Sequence, residues 1–95
     1  MSVQFELYGT LRDAVGERRL AREVPAAATV EVALREVTDE YPPLGSLVFD
    51  GDGRLRPHLN VLVNGENVRD LAGGKTRLSA GDTVGAVPSV AGGRA

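Results

Sequence analysis

A chain of 95 residues, 42% hydrophobic and 25% charged, has room for one small domain of ordinary globular composition. Its formal net charge of -2 comes with dispersed basic residues, Arg18-Arg19 being the only adjacent pair, which argues against a nucleic-acid partner because phosphate binding needs clustered Lys and Arg. There is no Cys, so disulfides, thiolate metal sites and a Cys nucleophile are excluded.

The N-terminus, Met1-Ser2-Val3-Gln4-Phe5-Glu6, has no basic n-region and no long apolar run. Neither a signal peptide nor a membrane span is expected there, and the expected compartment is the cytoplasm. Val3 to Tyr8 alternates apolar and polar with period two, which predicts a strand with Val3, Phe5 and Leu7 facing the core. Gly9-Thr10 lets the chain turn, with Leu11 and Val15 as local plugs beneath the connection. Arg18 to Val24 is a weaker strand, stopped by Pro25. A hairpin joining the two strands would have Gly16 in its turn.

Thr29 is placed to cap a helix, and Glu31 sits in the first turn, where the helix dipole favours a carboxylate. Val30, Ala33, Leu34, Val37 and Tyr41 then fall at i, i+3, i+4, i+7 and i+11, one apolar face. Pro42-Pro43 ends this helix, because the residue before proline disfavours the α region and proline cannot donate. Leu44 to Phe49 has the length of a turn of helix, and Asp50-Gly51-Asp52-Gly53 reads as a loop. Leu59 to Val63 is β-rich, and Asn64-Gly65 is a strong hairpin signal before a short return strand, Glu66-Asn67-Val68. Ala80-Gly81-Asp82 is a turn, and Thr83 to Val87 is the last strand, stopped by Pro88.

The order β, β, α, β, β, β requires the helix to bury its face on one side of a mixed sheet. With the first and last strands as parallel central neighbours, the fold class is α+β, a β-grasp or ubiquitin-like domain over residues 1–88 followed by a flexible tail, 89–95. If Phe5 and Leu7 point to the helix, Tyr8 points to the opposite sheet face, where Leu62 and Val87 are also expected. Apolar residues there are not needed for the core and suit a partner.

Three motifs have bland readings that outweigh the chemical ones. Gly74-Lys75-Thr76 resembles the end of a phosphate-binding loop, but Arg69 stands where that pattern needs glycine. His58 is the only histidine, and no Cys or second His completes a metal site. The acidic loop at 50–53 lacks the later ligands of a calcium-binding EF-hand. No catalytic residue, no metal and no bound cofactor are expected.

Gly92-Gly93 is different. The pair follows a strand that stops at Pro88, behind the short apolar spacer Val90-Ala91. A carboxylate is a poor electrophile and must be activated, commonly as an acyl adenylate. Glycine has no Cβ, so an enzyme channel can close tightly on the backbone beside the reacting carbon. From Pro88 to Gly93 an extended chain reaches about 20 Å, enough to enter a partner's pocket while the domain stays outside.

The run Phe5 through Tyr8-Gly9-Thr10-Leu11-Arg12, the segment Arg56-Pro57-His58-Leu59-Asn60-Val61-Leu62-Val63-Asn64-Gly65, and the end Gly81-Asp82-Thr83-Val84 through Pro88-Ser89-Val90-Ala91-Gly92-Gly93 together resemble the MoaD/ThiS family of ubiquitin-like sulfur carriers. The hairpin and the Val-Ala-Gly-Gly end look most like the CysO-type carriers of cysteine biosynthesis. The resemblance implies that an E1-like enzyme adenylates the Gly93 carboxylate with ATP, that a sulfur donor converts it to a thiocarboxylate, and that a client biosynthetic enzyme receives the sulfur. The carrier is then a protein cosubstrate of other enzymes and not itself a catalyst. Gly92 and Gly93 form the reacting end, and Tyr8, Leu62, Val87, Pro88, Val90 and Ala91 form the partner-binding set. No membrane partner is implied. Arg94-Ala95 departs from the family pattern, which ends at the second glycine. A deubiquitinase-like metalloprotease is the natural candidate to remove these two residues. Two other readings stay open here: a protein modifier conjugated through Gly93 to lysines, and a plain interaction module with an inert tail. Cysteine, molybdopterin, thiamine and specialised thio-products all remain possible destinations for the sulfur.

Overall fold

The computed structural model describes residues 1–88. Among them the chain forms a five-stranded sheet of order β2-β1-β5-β3-β4, built from β1 (Ser2–Leu7), β2 (Arg19–Glu23), β3 (Leu59–Val63), β4 (Glu66–Asn67) and β5 (Thr83–Pro88). β1 and β5 are parallel neighbours at its centre, with Phe5 opposite Val84 and Leu7 opposite Ala86. The outer pairings, β1 with β2 and β3 with both β5 and β4, are antiparallel. This is the β-grasp arrangement. The expected tail, with Val90, Ala91, Gly92, Gly93, Arg94 and Ala95, lies outside the described residues. Among the described residues no helix is long and apolar enough to cross a membrane.

The core forms between one sheet face and α2 (Val30–Glu40). Val3, Phe5 and Leu7 alternate into it from β1, Val84 and Ala86 from β5, and Leu59, Val61 and Val63 from β3. From α2, Val30, Ala33, Leu34 and Val37 are fully buried against them. Thr29 is the cap, its Oγ1 accepting from the Val32 N–H at 3.3 Å. Asn64 (φ 51°) and Gly65 (φ 86°) both take positive φ, as a two-residue hairpin turn between twisted strands requires.

Several local elements differ from expectation. The connection between β1 and β2 is a seven-residue helix, α1 (Gly9–Val15), and Gly16 is its left-handed C-cap (φ 88°), so the two strands pair antiparallel without a tight hairpin. Leu11 anchors this helix in the core, with Ala14 and Val15 packed at its edge; the run is too short for its period to stand out. Pro42-Pro43 ends α2 and also opens α3 (Pro42–Val48), because proline's missing N–H is no loss in a helix's first turn. Tyr41, expected inside α2, is its C-cap. Val68 leaves the return strand to begin a 3-10 turn, Val68–Asp70, where its side chain is buried. Pro88 continues β5, pairing opposite Leu59 at the strand end, where a missing donor is tolerated.

One ion pair ties the sheet edge to the helix end. Arg22 on β2 donates from Nε to Glu40 Oε1 at 2.7 Å, and from Nη2 to Glu40 Oε2 at 2.8 Å and the Tyr41 hydroxyl at 3.2 Å. The hydrogen bonds from Arg22 hold the Glu40 carboxyl below the usual carboxylate range. Because the folded-state value is depressed, this pair stabilises above the unfolded value of about 4.3 and its contribution is lost as pH falls through the lower folded value. The effect is small, since both side chains are solvated. In acid titrations followed by circular dichroism, Glu40→Gln is expected to show a slightly shallower loss of stability below about pH 4. Curves of identical shape would show that the pair adds nothing.

Candidate functional site

The last described residue of the central strand, Pro88, is the root of the tail. Gly9 meets it at the start of α1, in a left-handed conformation (φ 57°), and a Cβ on Gly9 would stand 2.9 Å from Pro88 Cγ. Only glycine suits both demands, so Gly9 lets the start of α1 pack closely on the last described residue of β5. Beside this contact lies an open groove of about 500 Å³, lined among others by Thr10, Ser46, Leu47, Arg56 and His58. Arg56 Nε donates to the Ser46 carbonyl at 2.6 Å, which ties the segment before β3 to α3. Gly9→Ala is expected to cost about 1–2 kcal/mol through its backbone conformation alone, with a further loss from displacing Pro88. A thermal melt indistinguishable from wild type would show that Pro88 is free to move away.

The second component is the sheet face turned away from α2. Strand alternation places Gln4, Glu6, Leu62, Thr83, Gly85 and Val87 there, since their neighbours Phe5, Leu7, Val61, Val63, Val84 and Ala86 face the core. Leu62 pairs with Gly85 and lies against it, with Leu62 Cδ1 4.0 Å from where a Gly85 Cβ would be. Val87 pairs with Asn60. Tyr8 continues β1 in extended conformation, and its hydroxyl donates to Glu6 Oε1 at 3.1 Å, which puts the ring on this same face. Leu62, Val87 and Tyr8 are all half-buried.

A charged frame surrounds the apolar centre. Arg19 Nε is 3.3 Å from Glu6 Oε2, and the Arg18 guanidinium lies over the Tyr8 ring, 5.1 Å from its centroid. On the other side Arg69 donates to Asn60 Oδ1 at 3.1 Å and to the Pro57 carbonyl. In the sequence Arg18-Arg19 is only an adjacent basic pair, and Glu6 only a polar position in a strand. Their meeting with Tyr8 depends on the β1–β2 register, which pairs Glu6 with Arg19. Gly9 was legible as a turn glycine, but its contact with Pro88 joins residues far apart in the chain.

The motifs read as bland have local structural work. Gly73–Lys75 is a 3-10 turn, and Thr76 Oγ1 accepts from the Ala72 N–H at 3.1 Å. In the acidic loop, Asp50 Oδ1 accepts from the backbone N–H groups of Asp52 at 2.9 Å and Arg54 at 3.0 Å, closing a turn. Those bonds, the Arg54 N–H foremost, lower the Asp50 carboxyl below its ordinary range. His58 stands exposed at the rim of the groove near Pro88.

A β-grasp domain with β1 and β5 as parallel central neighbours, and with Gly92-Gly93 four and five residues beyond Pro88 in the sequence, has the plan of a ubiquitin-like protein of the carrier and modifier class. The chain belongs to the ThiS family, whose model matches residues 5–93 and so includes Gly92-Gly93. It is 39% identical to small archaeal modifier protein 3 of Haloferax volcanii, over 98% of this chain and 100% of that one. The crystal structure of SAMP1 from the same organism superposes with a TM-score of 0.87 at 36% identity, covering 98% of this chain and 100% of that one. A chain in the crystal structure of the Amycolatopsis orientalis BexX/CysO complex superposes with a TM-score of 0.79 at 29% identity, covering 96% of this chain and 99% of that one. The similarity thus spans proteins named as modifiers, at the higher identities, and a CysO complex.

Proposed function

We propose that this protein is a sulfur carrier that acts as a cosubstrate through the carboxylate of Gly93, after Arg94 and Ala95 are removed. An E1-like enzyme binds the open sheet face and takes in the tail. The Gly93 carboxylate attacks the α-phosphorus of ATP, and pyrophosphate leaves. A sulfur nucleophile then attacks the acyl carbon, the bond to AMP breaks, and a thiocarboxylate remains. A client biosynthetic enzyme consumes that sulfur. ATP is used by the activating enzyme and is not held by this chain. A cytoplasmic setting and a deubiquitinase-like metalloprotease for trimming complete the scheme.

The observation that carries this reading is the continuity between β5 and the Gly-Gly end. The strand that precedes Gly93 is the central one, paired with β1 as far as Ala86 and with β3 as far as Pro88, so the described chain before the Gly-Gly end is held in the sheet. The BexX/CysO neighbour supports an enzyme partner and keeps cysteine among the possible products. A second reading, a modifier joined through Gly93 to lysines of other proteins, is favoured by the 39% identity to a small archaeal modifier protein. Both uses need the same activated carboxyl.

The test is to treat a chain ending at Gly93 with an E1-like enzyme, ATP and sulfide, and to measure intact mass. Exchange of one carboxyl oxygen for sulfur supports the carrier, adducts on other proteins support the modifier, and an unchanged mass with no adducts removes both. Val87→Asp tests the docking face. It should leave the melting temperature within a few degrees, because Val87 points away from the core, and weaken binding to the activating enzyme about tenfold or more, roughly 1.4 kcal/mol. Unaltered affinity in a titration would remove this face from the scheme.

A further inference from the structure

We propose that Lys75 is the acceptor through which copies of this protein join one another, with Gly93 of one copy linked to Nζ of Lys75 in the next. The inference rests on the modifier reading above and names the site that reading leaves open.

The argument begins from elimination among nucleophiles. Lys75 is the only lysine in the chain, and there is no Cys. The other ten basic side chains besides His58 are arginines, which stay protonated and do not acylate under these conditions. A Ser or Thr hydroxyl is a weak nucleophile without a paired base, and an acyl group on His58 would be open to water. The remaining amine is that of Met1, and the fold engages it. It donates to the Val24 carbonyl at 2.7 Å and lies 3.5 Å from Glu23 Oε1, with Met1 only 11% exposed. Acylating Met1 would remove the charge that faces Glu23 and require room for a second chain at the end of the β1–β2 pair.

Lys75 is presented in the opposite way. Its backbone is pinned on both sides: its N–H donates to the Ala72 carbonyl at 3.1 Å, Val30 N–H donates to the Thr76 carbonyl at 2.9 Å, and Leu78 N–H to the Ala28 carbonyl at 2.9 Å. Its side chain is exposed, and among the described residues no carboxylate lies within ion-pair distance of it. A Cβ added to Gly73, two residues earlier, would meet nothing within 4 Å, whereas one on Gly74 would run into the Glu31 side chain, so the turn is open on the Gly73 side and covered by Glu31 on the other. The two most exposed large apolar side chains among the described residues flank this region in the chain fold: Leu71, 41% exposed, just before the turn, and Val32, 40% exposed, in the first turn of α2 beside the Val30–Thr76 bond. Lys75 therefore offers an exposed side chain on a backbone that is held still, with Glu31 packed beside it on Gly74.

The step balances with the activation already described. Lys75 loses a proton to solvent, and its free Nζ attacks the acyl carbon of a Gly93 adenylate. A carbon–nitrogen bond forms, the carbon–oxygen bond to AMP breaks, AMP leaves with the electron pair, and an isopeptide remains. One acceptor per copy permits only linear chains of a single linkage.

The experiment incubates the full chain and a chain ending at Gly93 with an E1-like enzyme and ATP, in the presence of a lysine-rich acceptor protein, for wild type and for Lys75→Arg. Lys75→Arg keeps the positive charge and removes the nucleophile. Expected for the chain ending at Gly93 is a ladder of self-conjugates with a branched tryptic peptide at Lys75, and loss of the whole ladder in Lys75→Arg with adducts on the acceptor protein retained. A ladder that persists in Lys75→Arg, or a branch found at Met1, overturns the assignment. Adducts on the acceptor protein without any ladder overturn it while leaving the modifier reading intact. A monomer that has lost one water, its own tail joined to its own Lys75, overturns linkage between copies. Release of pyrophosphate from ATP with no adduct on any protein overturns both the assignment and the modifier reading.

Discussion

A chain ending at Gly93 is expected to take up sulfur when treated with an E1-like enzyme, ATP and sulfide, and the 95-residue chain is expected to take up almost none. In the full chain the only C-terminal carboxylate is that of Ala95, and Gly93 carries an amide. An amide carbonyl cannot displace pyrophosphate from ATP to give a mixed anhydride, so sulfur cannot be installed at Gly93 until the Gly93–Arg94 bond is cut. Activation at Ala95 instead would require a channel that accommodates Arg94. Arg94 is large and permanently charged, so a passage shaped for two glycines should reject it. The expected difference in initial rate is at least about 100-fold, equivalent to about 2.7 kcal/mol of barrier. Intact mass separates the outcomes, because the two chains differ by two residues and the site of sulfur is read by fragmentation. Equal conversion of both forms, with sulfur on Ala95, would sink the precursor idea. Docking is a separate matter. The sheet face of Tyr8, Leu62 and Val87 is complete within residues 1–88, so the uncut form is expected to bind the activating enzyme and to compete with the cut one.

Leu34→Asp is expected to unfold the domain or bring it to the edge of unfolding. Leu34 is fully buried at the centre of the α2 face, among side chains from β1, β3 and β5. Shortening the side chain there already costs about 2–5 kcal/mol, as Leu→Ala changes in cores do. A carboxylate adds the cost of burying a charge without a partner, or of protonating it first. A domain of this kind has about 5–15 kcal/mol of stability to lose. The expected loss is on the order of 4 kcal/mol or more, and each kcal/mol lowers the melting temperature of so small a domain by about 4–8 °C. Leu34→Ala, measured beside it, separates packing from charge. A Leu34→Asp protein that melts with the wild type would show that this position is not in the core.

Much of this molecule can be read without coordinates, and the particular residues show why. The α2 face is periodic over eleven residues and capped by Thr29, so its burial follows from local spacing. Asn64-Gly65 specifies its turn because both positions need positive φ. The alternation in β1 places Phe5 and Leu7 on one face and Tyr8 on the other. Short elements were less legible. α1 spans seven residues and carries one fully buried side chain, which gives too few turns for a period to emerge. Pro42-Pro43 reads as a stop from its own chemistry, and whether a new helix starts there depends on Leu44 and Val48 finding the core.

The candidate site divides in the same way. That Gly92-Gly93 lies four and five residues beyond Pro88, that Arg94-Ala95 follows it, and that the chain has one lysine and no cysteine are all properties of covalent order, determined by the sequence by itself. Which residues surround Pro88 and make up the outer sheet face was decided only by tertiary structure. Gly9 touches Pro88, Arg19 and the Tyr8 hydroxyl both meet Glu6, Arg69 reaches Asn60, and the Met1 amine meets the Val24 carbonyl. Each of these contacts joins positions whose proximity is set by strand register and by the parallel crossover between β1 and β5. Register is a collective outcome of burying one whole sheet face, and no local stretch of sequence carries it.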